Sequence, residues 1–184
     1  MVIKDEKTKK SLKYSMVDGV FTSLMTGFTQ DYFTPFLLIL GGGVAHVAAL
    51  ASVPNLVSSL TQLKSADITE KLRSRSRVIN IFVFLQALML LPMAALYWFG
   101  SGTAVIFIAV VTLFTSLGSF ANPAWASLMA DLVANDKRGE YFGWRSKILG
   151  FVAIGSTFTA GFILHQAGRF DVALGFTALF ALSF

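Results

Sequence analysis

Residues 103–132 read TAVIFIAVVTLFTSLGSFANPAWASLMADL, a stretch in which the first ionisable side chain is Asp131. A helix rises about 1.5 Å per residue, so roughly 20 apolar residues carry it through a bilayer's hydrocarbon core. Runs of the same kind lie at Tyr14–Leu40, Val44–Gln62, Val78–Phe99 and Tyr141–Leu164. A sixth begins at Val172 and reaches only Phe184, too short to span and without a polar flank, which reads as a helix cut partway. The first run is far longer than the roughly 7–15 residues of a cleavable signal core, so it reads as a retained span.

Composition agrees. Apolar residues fill 55% of the 184 positions and charged residues only 14%, against about 45–50% and 25% in soluble domains. So little charge cannot keep so apolar a chain dissolved, and lipid is its natural solvent. The expected fold is an all-α integral membrane bundle. It has a basic tail over 1–13, five complete spans (14–40, 44–62, 78–99, 103–132, 141–164) and a truncated sixth over 172–184.

The formal net charge of +5 would in a soluble chain invite nucleic acid. Here the basic residues cluster between apolar runs and read as topology signals, with no nucleic-acid partner. Cysteine is absent and the two histidines, His46 and His165, fall at predicted helix ends. That excludes disulfides and thiolate sites and argues against a His-based zinc site. No cofactor, metal or catalytic residue is expected. No His/Asp/Glu cluster or serine–base arrangement suggests an enzyme.

Orientation follows from lysine and arginine. Lys4, Lys7, Lys9, Lys10 and Lys13 precede the first run, and Lys64, Lys71, Arg73, Arg75 and Arg77 join the second to the third. Lys137, Arg138, Arg145 and Lys147 surround the fourth-to-fifth junction. The connections Gly41–Gly43 and Gly100–Gly102 have none, and the last has Arg169 alone. Fourteen of the 15 cations on one side place the N-terminus in the cytoplasm. Tyr97, Trp98 and Phe99 would then anchor the outer interface, and Tyr141, Phe142 and Trp144 the inner one.

Polar residues inside apolar runs are the functional candidates, because an intramembrane carboxylate is costly and usually faces a bundle interior or a wet cavity. Asp18 shares a helix face with Thr22, Thr26 and Thr29; the alternative is that it merely caps or pairs at the interface. Asp31 lies deeper, about 220° round a straight helix from Asp18, in the segment TGFTQDYFTP (26–35). Gly27 and Pro35 there favour a bend or break, the device from which transporters build mid-membrane sites. The alternative for Asp31 is a structural partner on a neighbouring helix. Spans one to four carry one proline each, Pro35, Pro54, Pro92 and Pro123, which suits helices that kink. Gly150, Ala153, Gly155, Ser156, Ala160 and Gly161 in the fifth run predict close helix packing.

The paired spans, cytoplasmic N-terminus and short outer loops resemble the N-terminal half of a major facilitator superfamily transporter, over essentially the whole chain. That family carries G-x-L-A-D-R-x-G-R-(K/R) after its second helix. Here Ala66-Asp67 is followed by Lys71, Arg73, Arg75 and Arg77, with Leu63 at the glycine position and Ile68 right after the aspartate. Asn122-Pro-Ala-Trp125, Leu128-Met-Ala-Asp131, Arg138-Gly139 and Tyr141-Phe-Gly143 resemble the fourth-to-fifth connection of many bacterial members. The arginine of the proton-coupled R-x-x-Q-G pattern would fall on Phe114, with Gly118 as anchor, and the drug-antiporter run G-P-x-x-G-G is absent.

The resemblance implies a secondary transporter of a small solute, working by alternating access in the bacterial inner membrane with a C-terminal half as partner. By analogy Gln30, Asp31, Thr29, Thr112 and Thr115 would line the solute or proton path, with Asp18 at its edge. Asp67, Asp131, Arg138 and Arg145 would form a cytoplasmic charge latch. The alternative is a non-transporting sensor or scaffold that keeps the fold.

Overall fold

The structure, a computed structural model, describes residues 6–72, 74–100 and 103–184. The first five tail residues, Arg73 of the basic connection and residues 101–102 of the second outer turn lie outside the described residues.

Every described element is helical. Helix α1 covers Glu6–Thr29, a 3-10 turn covers Gln30–Tyr32, and α2 covers Phe33–Ile39. Pro35 explains the break: it has no N–H for the Asp31 carbonyl four residues back, and its ring crowds that carbonyl. Helix α2 closes on Gly41, whose φ of +83° suits only glycine. Gly41 N and Gly42 N donate to the carbonyls of Leu38 and Leu37 at 3.1 and 2.9 Å, the left-handed stop that satisfies the last carbonyls of a helix.

Helix α3 (Val44–Leu63) keeps Pro54 inside it, and Asn55 Nδ2 donates to the Ala51 carbonyl at 2.7 Å. A short helix, α4 (Ser65–Leu72), occupies the basic connection. Helix α5 (Arg75–Leu88) is capped by Ser74, whose side chain accepts from Arg77 N. It stops at Leu88, the residue whose carbonyl Pro92 leaves without a donor, and α6 (Leu90–Ala95) and a 3-10 turn continue to Phe99. Helices α7 (Thr103–Leu132) and α8 (Arg138–Ala167) are long and unbroken. Helix α9 (Val172–Ser183) is capped by the Asp171 side chain, which accepts from Ala173 N at 2.8 Å.

Four helical stretches are long and apolar enough to cross a membrane: Val44–Leu63, Arg75–Phe99, Thr103–Leu132 and Asn135–Ala167. The expected first span, 14–40, is not among them. Its break at 30–32 leaves a polar α1 and an α2 of only seven residues.

Helix α7 is central, packing along α3 on one flank and α5 on another. Helix α1 lies along α8, and α9 packs against α6, α8 and α1. The core is a phenylalanine lattice. The Phe36 ring lies 5.1 Å from Phe107, 5.0 Å from Phe176 and 5.0 Å from Phe180, so α2, α7 and α9 meet at one side chain. Such aromatic contacts contribute about 0.5–1.5 kcal/mol each beyond their buried area. Phe151, Phe158 and Phe162 of α8 point outward, exposed by 67%, 77% and 63%. A row of exposed phenylalanines on a spanning helix fits contact with lipid rather than water.

Candidate functional site at the break in the first helix

Asp31 sits at the middle of the 3-10 turn and is exposed. Its Oδ2 accepts a 2.7 Å hydrogen bond from Thr157 Oγ1 on α8. The next residue, Tyr32, donates its hydroxyl to the backbone carbonyl of the same Thr157, also at 2.7 Å. One residue of α8 therefore holds two consecutive residues of the break. Glycine at 161 leaves the space, since a β-carbon there would come within 2.9 Å of Tyr32 Oη.

Below the break the two helices approach closely. A β-carbon at Gly27 would collide with Ser156 Oγ and lie 2.8 Å from the Ala153 carbonyl oxygen. Ser156 Oγ donates to that carbonyl at 2.8 Å and reaches the Ser23 carbonyl at 3.3 Å. At the lower end, the Arg145 guanidinium lies against Gly19 and donates to the Ser15 carbonyl at 3.2 Å, 4.8 Å from the centre of the Trp125 ring. Of the small residues expected to make this contact from α8, Ser156 and Ala160 are buried, whereas β-carbons at Gly150 and Gly155 would meet nothing. The close approach is set by Gly19 and Gly27 on α1 and, at the break, by Gly161 on α8.

The other expected lining residues are placed differently. Gln30 is exposed beside Asp31, but Thr29 is fully buried and donates to the Met25 carbonyl at 2.7 Å. Thr112 and Thr115 are half-buried on α7 and turn back on their own helix, donating to Ile108 O at 2.7 Å and Val111 O at 2.9 Å. Asp18 is exposed on α1, and its carbonyl accepts from Thr22 at 3.0 Å. The threonine stripe above it continues the pattern, with Thr26 donating to the Thr22 carbonyl. Phe114, where a proton-coupled arginine would stand, is fully buried, edge-on to Phe33 at 5.9 Å.

The four residues expected as a charge latch are not joined to one another by ion pairs. Asp131 pairs with Arg75 at the start of α5, the only salt bridge among the described residues. Arg138 donates to the carbonyls of Val133 and Ala130, tying off the end of α7. Arg145 serves the α1–α8 contact, and Asp67 is exposed in the first turn of α4. Beside the Arg75–Asp131 pair lies a groove of about 460 Å³, lined among others by Thr69, Glu70, Arg75 and Ser127.

Sequence reasoning missed Thr157 and Tyr32. Thr157 stands in the small-residue run of the fifth span, but no local signal says that it faces Asp31. No family model, curated protein or solved structure matches the chain. Fold and composition define an all-helical protein with four helices able to cross a membrane.

Proposed function

We propose that the chain is a fragment of the N-terminal half of a secondary transporter of the major facilitator type, with five complete spans and part of a sixth. It moves a small solute by alternating access across a bacterial inner membrane, with its N-terminus in the cytoplasm. The observation that carries this reading is a symmetry of packing. With α1–α2, α3, α5–α6, α7, α8 and α9 taken as spans one to six, span one packs on five as four packs on two. Span three packs on four as six packs on one, and three packs on six. These pairings survive the exchange of one with four, two with five and three with six, although the contact of five with six has no comparable counterpart between two and three. Each exchanged span runs in the opposite direction across the membrane, so the pattern is that of a 3+3 inverted repeat, as found within each half of such transporters.

The broken first helix supports the same reading. Interrupted helices near mid-membrane carry substrate and ion sites in transporters, and here the break holds an exposed carboxylate. The groove at the Arg75–Asp131 pair lies at the expected cytoplasmic ends of α4, α5 and α7, where closing one face of the cavity would act.

A single cysteine at Gln30 tests alternating access, since these 184 residues contain no cysteine and any elsewhere in the full-length protein can be replaced. With the full-length protein in oriented vesicles, a small impermeant thiol reagent should reach it from either side of the membrane. Reaction from one face only would instead indicate a static bundle, as expected of a sensor or scaffold.

A further inference from the structure

We infer that the break at Gln30–Tyr32 binds a cationic solute bearing an ammonium group, with the Asp31 carboxylate as its counter-ion. The inference rests on the reading of this break as a solute site and adds the chemistry that site selects.

The first argument is charge. No lysine or arginine lies between Lys13 and Lys64, between Arg77 and Lys137, or between Lys147 and Arg169. Among the described residues no cationic side chain pairs with Asp31. A carboxylate at membrane depth is expensive without a countercharge. A neutral solute leaves that cost in place and an anion adds repulsion to it. A cation removes it.

The second argument is the balance of donors and acceptors. The Thr157 hydroxyl has acceptors in Asp31 Oδ2 at 2.7 Å and the Ala153 carbonyl at 3.0 Å, and the Tyr32 hydroxyl is bonded to the Thr157 carbonyl, so neither has a spare proton for a ligand. What remains is mainly acceptor capacity: the carboxylate's other oxygen, beside the exposed Gln30 amide, which can turn its oxygen toward a donor. An ammonium offers donors only, and so complements it. Tyr32, the next residue, is fixed through its hydroxyl to the same threonine that holds the carboxylate, and aromatic rings attract such cations.

The test uses full-length protein in detergent and a matched series of probes: phenethylammonium, the neutral 2-phenylethanol and the anion phenylacetate. Titration calorimetry should show the ammonium binding at least tenfold more tightly than the alcohol, with no heat from the anion. Asp31→Asn should lose that tenfold preference while remaining monodisperse and helical. Asp31→Glu, which keeps the charge, should retain part of it, and this guards against a merely misfolded Asn variant. Equal affinity for alcohol and ammonium, an unchanged preference in Asp31→Asn, binding of sodium but not the ammonium, or no binding across the series would each overturn the inference. Ammonium binding without movement of Gln30 between faces would defeat the transport reading and leave the cation site standing. Two-sided access without ammonium binding would do the reverse.

Discussion

Thr157 Oγ1 donates to Asp31 Oδ2 at 2.7 Å, while the carbonyl of the same threonine receives the Tyr32 hydroxyl. The two bonds use different atoms of one residue, so they separate experimentally. Thr157→Val keeps shape and the backbone carbonyl but removes the bond to the carboxylate, together with the hydroxyl's 3.0 Å contact to the Ala153 carbonyl of its own helix. A hydrogen bond to a charged group contributes about 1.5–3 kcal/mol. Thr157→Val should therefore lower thermal stability in detergent, Thr157→Ser should restore it, and Tyr32→Phe should cost less, about 0.5–1.5 kcal/mol. A Thr157→Val melt identical to the parent's would mean that Asp31 gains nothing from this contact.

The α1–α8 contact makes a paired prediction about glycine. Gly27→Val forces a branched side chain into Ser156 and the Ala153 carbonyl, and overpacking of this kind costs about 1–3 kcal/mol. Gly155→Ala adds a methyl group where nothing stands within contact and should be neutral or slightly stabilising, because alanine favours helix by up to about 1 kcal/mol over glycine. Melting curves of the two variants should move apart. If they coincide, the close approach at Gly27 is not a stability determinant.

The Arg75–Asp131 pair is exposed by 41% and 68%, and exposed pairs contribute about 0–1 kcal/mol. Asp131→Asn and Arg75→Gln should hardly change melting. If the pair biases the cytoplasmic face, each single change should raise thiol labelling of a cysteine at Ser127, which lines the adjacent groove. The double reversal Arg75→Asp/Asp131→Arg should bring labelling back toward the parent level. Labelling that ignores all three variants would confine the pair to the surface.

Topology is open to the same chemistry. Single cysteines at Lys10 and Ser76 should react with an impermeant maleimide only after the cytoplasmic side is opened. A cysteine at Gly43, where a side chain meets no neighbour, should react in intact cells. The reverse pattern would invert the orientation.

The parts of this fold that were legible in the sequence are those that a solvent dictates. Four of the expected runs became helices long enough to cross a bilayer because lipid demands about 20 apolar residues in a row. The interruption near Asp31 was legible because Pro35 acts on its own backbone within four residues. Helix α4 was not read, since eight residues of mixed polarity in a basic connection look like a loop. Pairing between spans was not legible either. Gly19 and Gly27 stand in an ordinary polar–apolar mix, and only the partner helix shows why they carry no side chain. The partners of the charged residues failed for the same reason: Arg75 is one of several cations in its cluster, and nothing local selects it for Asp131 over Arg138.

Asp31 and Thr157 are 126 positions apart, and this separation has a consequence for biosynthesis. A ribosome adding about 5–20 residues per second needs roughly 6–25 s to make the intervening chain. During that interval α1 has left the tunnel with its carboxylates and its glycine seam uncovered, and α8 does not yet exist. The nascent helix must wait beside the translocon or in the care of an insertion chaperone. A chain that stops after α7 would present to the membrane's proteases a first helix whose main partner never arrives.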